Sequence, residues 1–331
     1  MPGLALATNV VSGWPKKRIE AALQAIFASS AFDLDETTVY LTGPWRGYLE
    51  LDPELQVTCA RYGIDIKDEA HRFLRADGPA SLILCDGLSG WIIASKIAEL
   101  DGADLILLHL DDHADMMPTL LSKSGASLVD PETSAIFDPA NRQDWVRALT
   151  RGTVSIGSYL TPLFHWQKMN GHLHIRHLRP TPEPDAILVK IVPVVTSHSI
   201  LDGAEFASIQ FGNSRRGAKG SYKQTSDVKD ALADLPDGKM LVHIDLDYFL
   251  NDLNGMPDQS PARLSTDEKR AILSRMDQFF DGLKDTAERI LHWIIATSPG
   301  FCSARHWSWL LDALSTRLSS FMNQPVKVSL G

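Results

Sequence analysis

A chain of 331 residues that is 44% hydrophobic, 22% charged and 8% aromatic has the apolar material for a large core, which excludes wholesale disorder. Thirty-two Lys and Arg against 41 Asp and Glu leave a net charge of −9, which argues against a general grip on nucleic-acid phosphates. No apolar run approaches the roughly 18 residues of a helical membrane span, and the scattered Cys59, Cys85 and Cys302 fit neither a disulfide framework nor a zinc ribbon.

The first 14 residues have no basic stretch ahead of their apolar ones. No secretory signal is read there, so the cytoplasm is the expected compartment. Behind Pro15, Ile19, Ala22, Leu23, Ile26 and Phe27 recur at helical spacing and predict a helix over residues 16–29. A short strand over 38–42 stops at Gly43-Pro44. From Ser81 onward short apolar runs alternate with helical periods: a strand over 81–85, a helix over 89–100 and a strand over 103–110. That last run is apolar almost throughout, as the middle of a parallel sheet requires. Further strands are predicted over 153–156, 172–178, 187–195, 240–244 and 290–296.

Ser265 and Glu268 form a capping box ahead of a helix with Ile272, Met276, Phe279, Phe280 and Leu283 on one face. A last helix carries Trp307, Leu310, Leu311, Leu314, Leu318 and Phe321 and leads to a short strand over 326–330. Alternating strands and helices predict an α/β fold of three layers, α/β/α, around a mainly parallel central sheet. Residues 117–142 and 211–227 read as long polar loops. The chemistry-bearing motifs fall within residues 80–331, taken as the main domain, with 1–79 as an N-terminal segment packed on it.

The most informative stretch is Asp111-Asp112-His113-Ala114-Asp115, directly after a buried strand. Burying each lone carboxylate costs several kcal/mol, so something positive belongs there. Asp245-Leu246-Asp247 follows its own strand in the same way. In a parallel sheet both clusters lie at the carboxyl edge, where open α/β sheets bind ligands. Side chains two apart on an extended segment point the same way, which groups Asp111, His113 and Asp115, and likewise Asp245 with Asp247. A mostly oxygen donor set with one nitrogen suits Mn²⁺, then Mg²⁺ or Fe²⁺, and two ions would account for so many anions. The plainer alternative is a pair of helix caps and loop ion pairs.

Among the histidines, His165 is a candidate for protonating a departing amine, or else packs beside Trp166. His172 and His174 read as surface residues of an edge strand without a third ligand. His109 and His243 read either as partners of metal carboxylates or as hydrogen-bonded core residues. The segment 211–223 carries four basic residues; it is a solvated loop by default, and otherwise a clamp for an acidic part of a peptide or a cover over the site.

Asp-Asp-His-Ala-Asp at 111–115 and His-Ile-Asp-Leu-Asp at 243–247 resemble the two metal signatures of the arginase and ureohydrolase superfamily. The closer resemblance is to its divergent branch containing the peptide arginases, where Gly157-Ser158-Tyr159-Leu160-Thr161-Pro162, Asp245-Leu246-Asp247-Tyr248-Phe249 and Thr297-Ser298-Pro299-Gly300-Phe301 also have counterparts. The similarity spans about residues 81–301. It implies two Mn²⁺, with Asp111 and Asp245 bridging them, Asp115 on one ion, and His113 and Asp247 on the other. It also implies hydroxide attack on the guanidinium of an arginine, giving urea and ornithine, with Asp115 aiming the hydroxide.

The family's further histidine ligand is missing from Cys85-Asp86-Gly87-Leu88-Ser89, and Asp86 is expected to replace it. The second signature also runs on to Leu250-Asn251-Asp252 instead of Asp-Pro, which points away from free arginine. The expected partner is an arginine-containing, ribosomally made peptide, with no nucleic acid and no membrane; the oligomeric state stays open. The alternatives are hydrolysis of a small guanidino or amide compound, a catalytically silent relative, and a glycosyltransferase using Asp245 and Asp247.

Overall fold

The alternating apolar runs assemble side by side. In the computed structural model, which describes residues 5–7, 15–26, 30–35, 38–44, 47–131, 133–181, 187–197, 204–214, 216–256 and 259–331, they form one nine-stranded sheet. In chain order its strands are β1 (Leu74–Asp77), β2 (Ala80–Ile83), β3 (Leu105–Leu110), β4 (Leu173–Leu178), β5 (Val189–Ser197), β6 (Glu205–Gly212), β7 (Gly220–Thr225), β8 (Lys239–Asp245) and β9 (Ile290–Ala296). Across the sheet the order is β6-β5-β7-β4-β3-β8-β9-β2-β1. The six strands from β7 to β2 run parallel, and β5, β6 and β1 pair antiparallel at the two margins.

Helices cover both faces: α1 (Leu55–Arg61), α2 (Ser89–Glu99), α3 (Arg142–Arg151), α4 (Thr266–Gly282) and α5 (Ala304–Met322). On one face Ile272, Met276, Phe279, Trp307 and Leu310 bury against Ile106, Leu108, Val242 and Trp293. On the other, Ile92, Ile93, Trp145 and Leu149 bury against Leu105, Leu107, Leu241 and Ile294. Each such side chain contributes about 1.5–3 kcal/mol, so the doubly covered β3, buried at every position, anchors the molecule. The expected three-layer α/β/α architecture is therefore present.

Several elements differ from the sequence reading. Residues 153–156 are not a strand: they follow the left-handed Gly152 that ends α3, and the Thr153 amide returns to the Ala148 carbonyl. Residues 326–330 join no sheet; the Val326 and Val328 amides donate to the Ser319 and Ser315 hydroxyls of α5 instead. The segment 211–227 is not a loop throughout: its polar Gly-Ser-Tyr-Lys-Gln-Thr forms β7 between β4 and β5. Within 117–142, Ser122–Ser124, Ser127–Val129 and Ile136–Phe137 form a small antiparallel sheet. The helix expected over 16–29 is described as Lys16–Ile26, and residues 27–29 lie outside the described ones. A further sheet joins Ala5–Ala7, Thr38–Pro44 and Ser30–Asp35.

The boundary drawn at residue 80 falls in the turn between β1 and β2, which pair antiparallel. Leu55 and Cys59 of α1 lie in the same core as α5. Asp52 accepts from the Ser303 hydroxyl and the Ala304 amide at the start of α5. No helix among the described residues is long and apolar enough to cross a membrane.

Candidate metal centre

The parallel strands deliver their acids to one edge. Asp111 follows β3 directly, Asp245 ends β8 with Asp247 two residues on, and Asp86 opens a short 3-10 turn just beyond β2. Backbone amides orient them: Asp111 Oδ1 accepts from the His113 amide at 2.6 Å, Asp245 Oδ1 from Asp247 at 3.1 Å and Asp247 Oδ1 from Asp112 at 3.2 Å. His113 Nδ1 then stands 3.4 Å from Asp111 Oδ1 and 3.1 Å from Asp247 Oδ2. Three groups of ligand atoms, each within 4.8 Å of one another, share Asp111: Asp86 with Asp115, His113 with Asp247, and His109 with His243.

Asp86 Oδ1, Asp111 Oδ2 and Asp115 Oδ2 are buried without a hydrogen-bond partner. A buried orphan oxygen costs about 1–3 kcal/mol, and three in one place are offset either by retained protons or by a bound cation. Burial and mutual repulsion push Asp86, Asp111 and Asp245 well above the usual carboxylate range. Burial likewise lifts Asp115 to about 7. Burial would lower His113, yet the hydrogen bond and charge of Asp247 raise it to about 9. All six acids and imidazoles expected to hold metal (Asp86, Asp111, His113, Asp115, Asp245 and Asp247) therefore meet at one locus, an acid-rich set of the kind that binds hard divalent cations. Asp112 is not among them, because Arg179 at 2.9 Å and Asn251 at 3.0 Å hold it.

Asp115 and Ser298 adopt left-handed backbone, φ 53° and 52°, beside the cluster. Non-glycine residues rarely take that conformation, and asparate tolerates it best of the acids. Both residues line a cavity of about 700 Å³ whose walls include Met116, Met117, Ile156, Phe211 and Phe301. Asp86 and His113 also border it, and the rings of Phe301 and His113 meet edge to face with centroids 4.9 Å apart. No lysine or arginine among the described residues lines it.

Behind the carboxylates the register aligns His177, His109 and His243 on neighbouring strands, with ring centroids 4.9 and 5.0 Å apart. Burial pushes His177 down to about 4 and His243 down to about 3. His177, together with Tyr222 at 2.7 Å from its Nδ1, escaped the sequence reading. Nothing in the order of residues marks it, since only strand pairing brings it beside His109. The buried Tyr159 lies in the Gly-Ser-Tyr-Leu segment, a signal that was present but carried no assigned role.

Other expectations move. His165 stands apart: its Nε2 is 2.7 Å from the Ser208 carbonyl, and it lines a separate cavity of about 230 Å³. Its position gives no support to proton donation at this cluster. His172 and His174 are not on an edge strand, since β4 is flanked by β7 and β3, and they have a third partner in Asp104 at 3.1 and 3.3 Å. In the basic segment, Lys223 is held by Asp230 at 2.6 Å and Lys219 reaches the Met169 carbonyl, while Arg215 lies outside the described residues.

Fold and site together define an α/β protein with a buried carboxylate and imidazole cluster able to hold divalent metal. A scan against protein-family models finds no match for the chain, and a search of curated proteins finds no similar one.

Proposed function

We propose that this chain is a Mn²⁺-dependent hydrolase that converts arginine side chains within a peptide to ornithine with release of urea. The observation that carries the reading is the set of orphaned carboxylate oxygens of Asp86, Asp111 and Asp115, of which Asp86 and Asp115 line a mainly apolar cavity. Asp86, Asp111, Asp115, Asp245, Asp247 and His113 would hold the metal, which supplies Lewis acidity and acidifies a water when bound. Asp115 orients the attacking water by accepting its hydrogen bond and holds its proton. Met116, Met117, Ile156 and Phe301 pack along the aliphatic stem and exclude bulk solvent.

A free amino acid would bring a carboxylate needing a cation, and the described lining offers no lysine or arginine, its His113 being among the residues that would hold the metal. That favours an arginine whose α-groups are already in peptide bonds. The decisive measurement is mass spectrometry of arginine-containing peptides after incubation with the Mn²⁺-loaded protein. A loss of about 42 Da per arginine, with urea in solution, is expected of attack at the guanidinium carbon. Unchanged peptides with free arginine turned over, or no turnover of either, would remove the proposal. The apolar walls also suit an acyl group, and amide cleavage in the same spectra would select that second reading.

A further inference from the structure

The resemblance calls for a second imidazole at residues 85–89, where the sequence has none, and the fold supplies one from another strand. We infer that His243, inside β8, is the missing nitrogen ligand and binds through Nε2 beside Asp86. His243 has this role only if the carboxylate cluster holds divalent metal, as proposed above.

Proton placement carries the inference. His109 Nε2 lies 3.1 Å from the His113 carbonyl, 3.6 Å from Asp115 Oδ2 and 3.7 Å from Asp111 Oδ2. Every one of these neighbours accepts, so His109 carries its proton on Nε2. Its Nδ1 is then a lone pair, and His243 Nδ1, 3.0 Å away, must donate to it. Both rings are fully buried, which disfavours a charged imidazole, and a neutral one has a single N–H. His243 Nε2 is therefore left as a bare lone pair.

That nitrogen has no hydrogen-bond partner, and it stands 3.7 Å from Asp86 Oδ1, which has none either. Two lone pairs facing each other in a dry interior repel unless a cation lies between them. Ligand atoms about 2.1 Å from one ion stand about 3.0 Å apart at a right angle and about 4.2 Å apart across it, a range that includes the observed gap. A ligating histidine also hydrogen-bonds through its other nitrogen, as His243 Nδ1 does to His109. His109 is thus a positioning residue. Asp111 is common to the groups that contain His113 and His243, and His243 adds its contact to Asp86, so each side of Asp111 would have one imidazole.

The test counts metal ions and bound nitrogens. Mn²⁺ titration with elemental analysis should give two ions in the wild type, and pulsed paramagnetic resonance with ¹⁵N-histidine labelling should detect two directly bound imidazole nitrogens. His243→Gln and His243→Asn should each lose one nitrogen coupling and bind the second ion about tenfold or more weakly. Unfolding in EDTA shows which variant keeps the wild-type fold, and the nitrogen count in the wild type needs no variant. A wild type with two ions but one bound nitrogen, or a folded variant with both couplings intact, overturns the assignment of His243 alone. A wild type that takes up no Mn²⁺ overturns the metal-site reading itself, and His243 with it.

Discussion

At the scale of single residues, the centre is an anionic cluster held together against its own repulsion, and this gives metal-free protein a distinctive pH response. Asp115 ionises near the usual carboxylate value of 3.8 when unfolded but only near about 7 when folded, because burial disfavours its charge. The folded state holds the proton more tightly, so its stability is fullest below about 4 and declines as pH rises toward about 7. EDTA-treated protein should lose melting temperature over that interval, and saturating Mn²⁺ should remove the loss. A ligand at a hundred times its dissociation constant stabilises by about 2.7 kcal/mol. Asp111→Asn and Asp245→Asn should abolish turnover and most of the Mn²⁺-induced rise in melting temperature, while melting no lower than wild type in EDTA. Full activity in either variant would contradict the proposed function. His165→Ala should retain activity, since that imidazole is spent on the Ser208 carbonyl.

At the scale of elements, the start of α5 is tied to distant parts of the chain. Buried Ser303 caps the helix through the Arg305 amide, donates its hydroxyl to Asp52, and gives its own amide to Asp252. Ser303→Ala should cost about 2 kcal/mol in urea unfolding, at the upper end of cap substitutions because Asp52 also loses a donor. Burial alone would raise Asp252, but hydrogen bonds from His306, Ser303 and Ala262 hold it below the usual carboxylate range. A carboxyl depressed in this way stabilises the fold above its unfolded value of 3.8 and loses that contribution as pH falls through its lower folded value. Asp252→Asn should therefore flatten the acid limb of a stability profile; an unchanged limb would show that the carboxylate carries no such linkage. Strands made of continuous apolar residues, such as β3 and β9, were legible because burial on both faces leaves no other composition. Polar β7 was not, since its place between β4 and β5 depends on neighbours far away in sequence.

At the scale of the whole molecule, residues 52–79 belong to the same core as the strands that carry the carboxylate cluster. A fragment beginning at residue 80 would lack β1, the buried Leu55 and Cys59, and the Asp52 contacts to α5. It should unfold about 5 kcal/mol or more below the full chain, if it folds at all, because two or more buried side chains and a sheet margin go together. Urea unfolding of the two chains compares them directly, and equal midpoints would make the N-terminal segment an independent attachment.

Sequence alone determined the layered α/β class and the carboxyl-edge clustering of Asp111, His113, Asp115, Asp245 and Asp247, because apolar runs and interrupting acids are local patterns. Tertiary structure decided that Asp86 joins them, that His165 does not, and that His177, His109 and His243 form one row. Those relations depend on strand order and register, which set distances between residues tens to more than a hundred positions apart and leave no trace in local spacing.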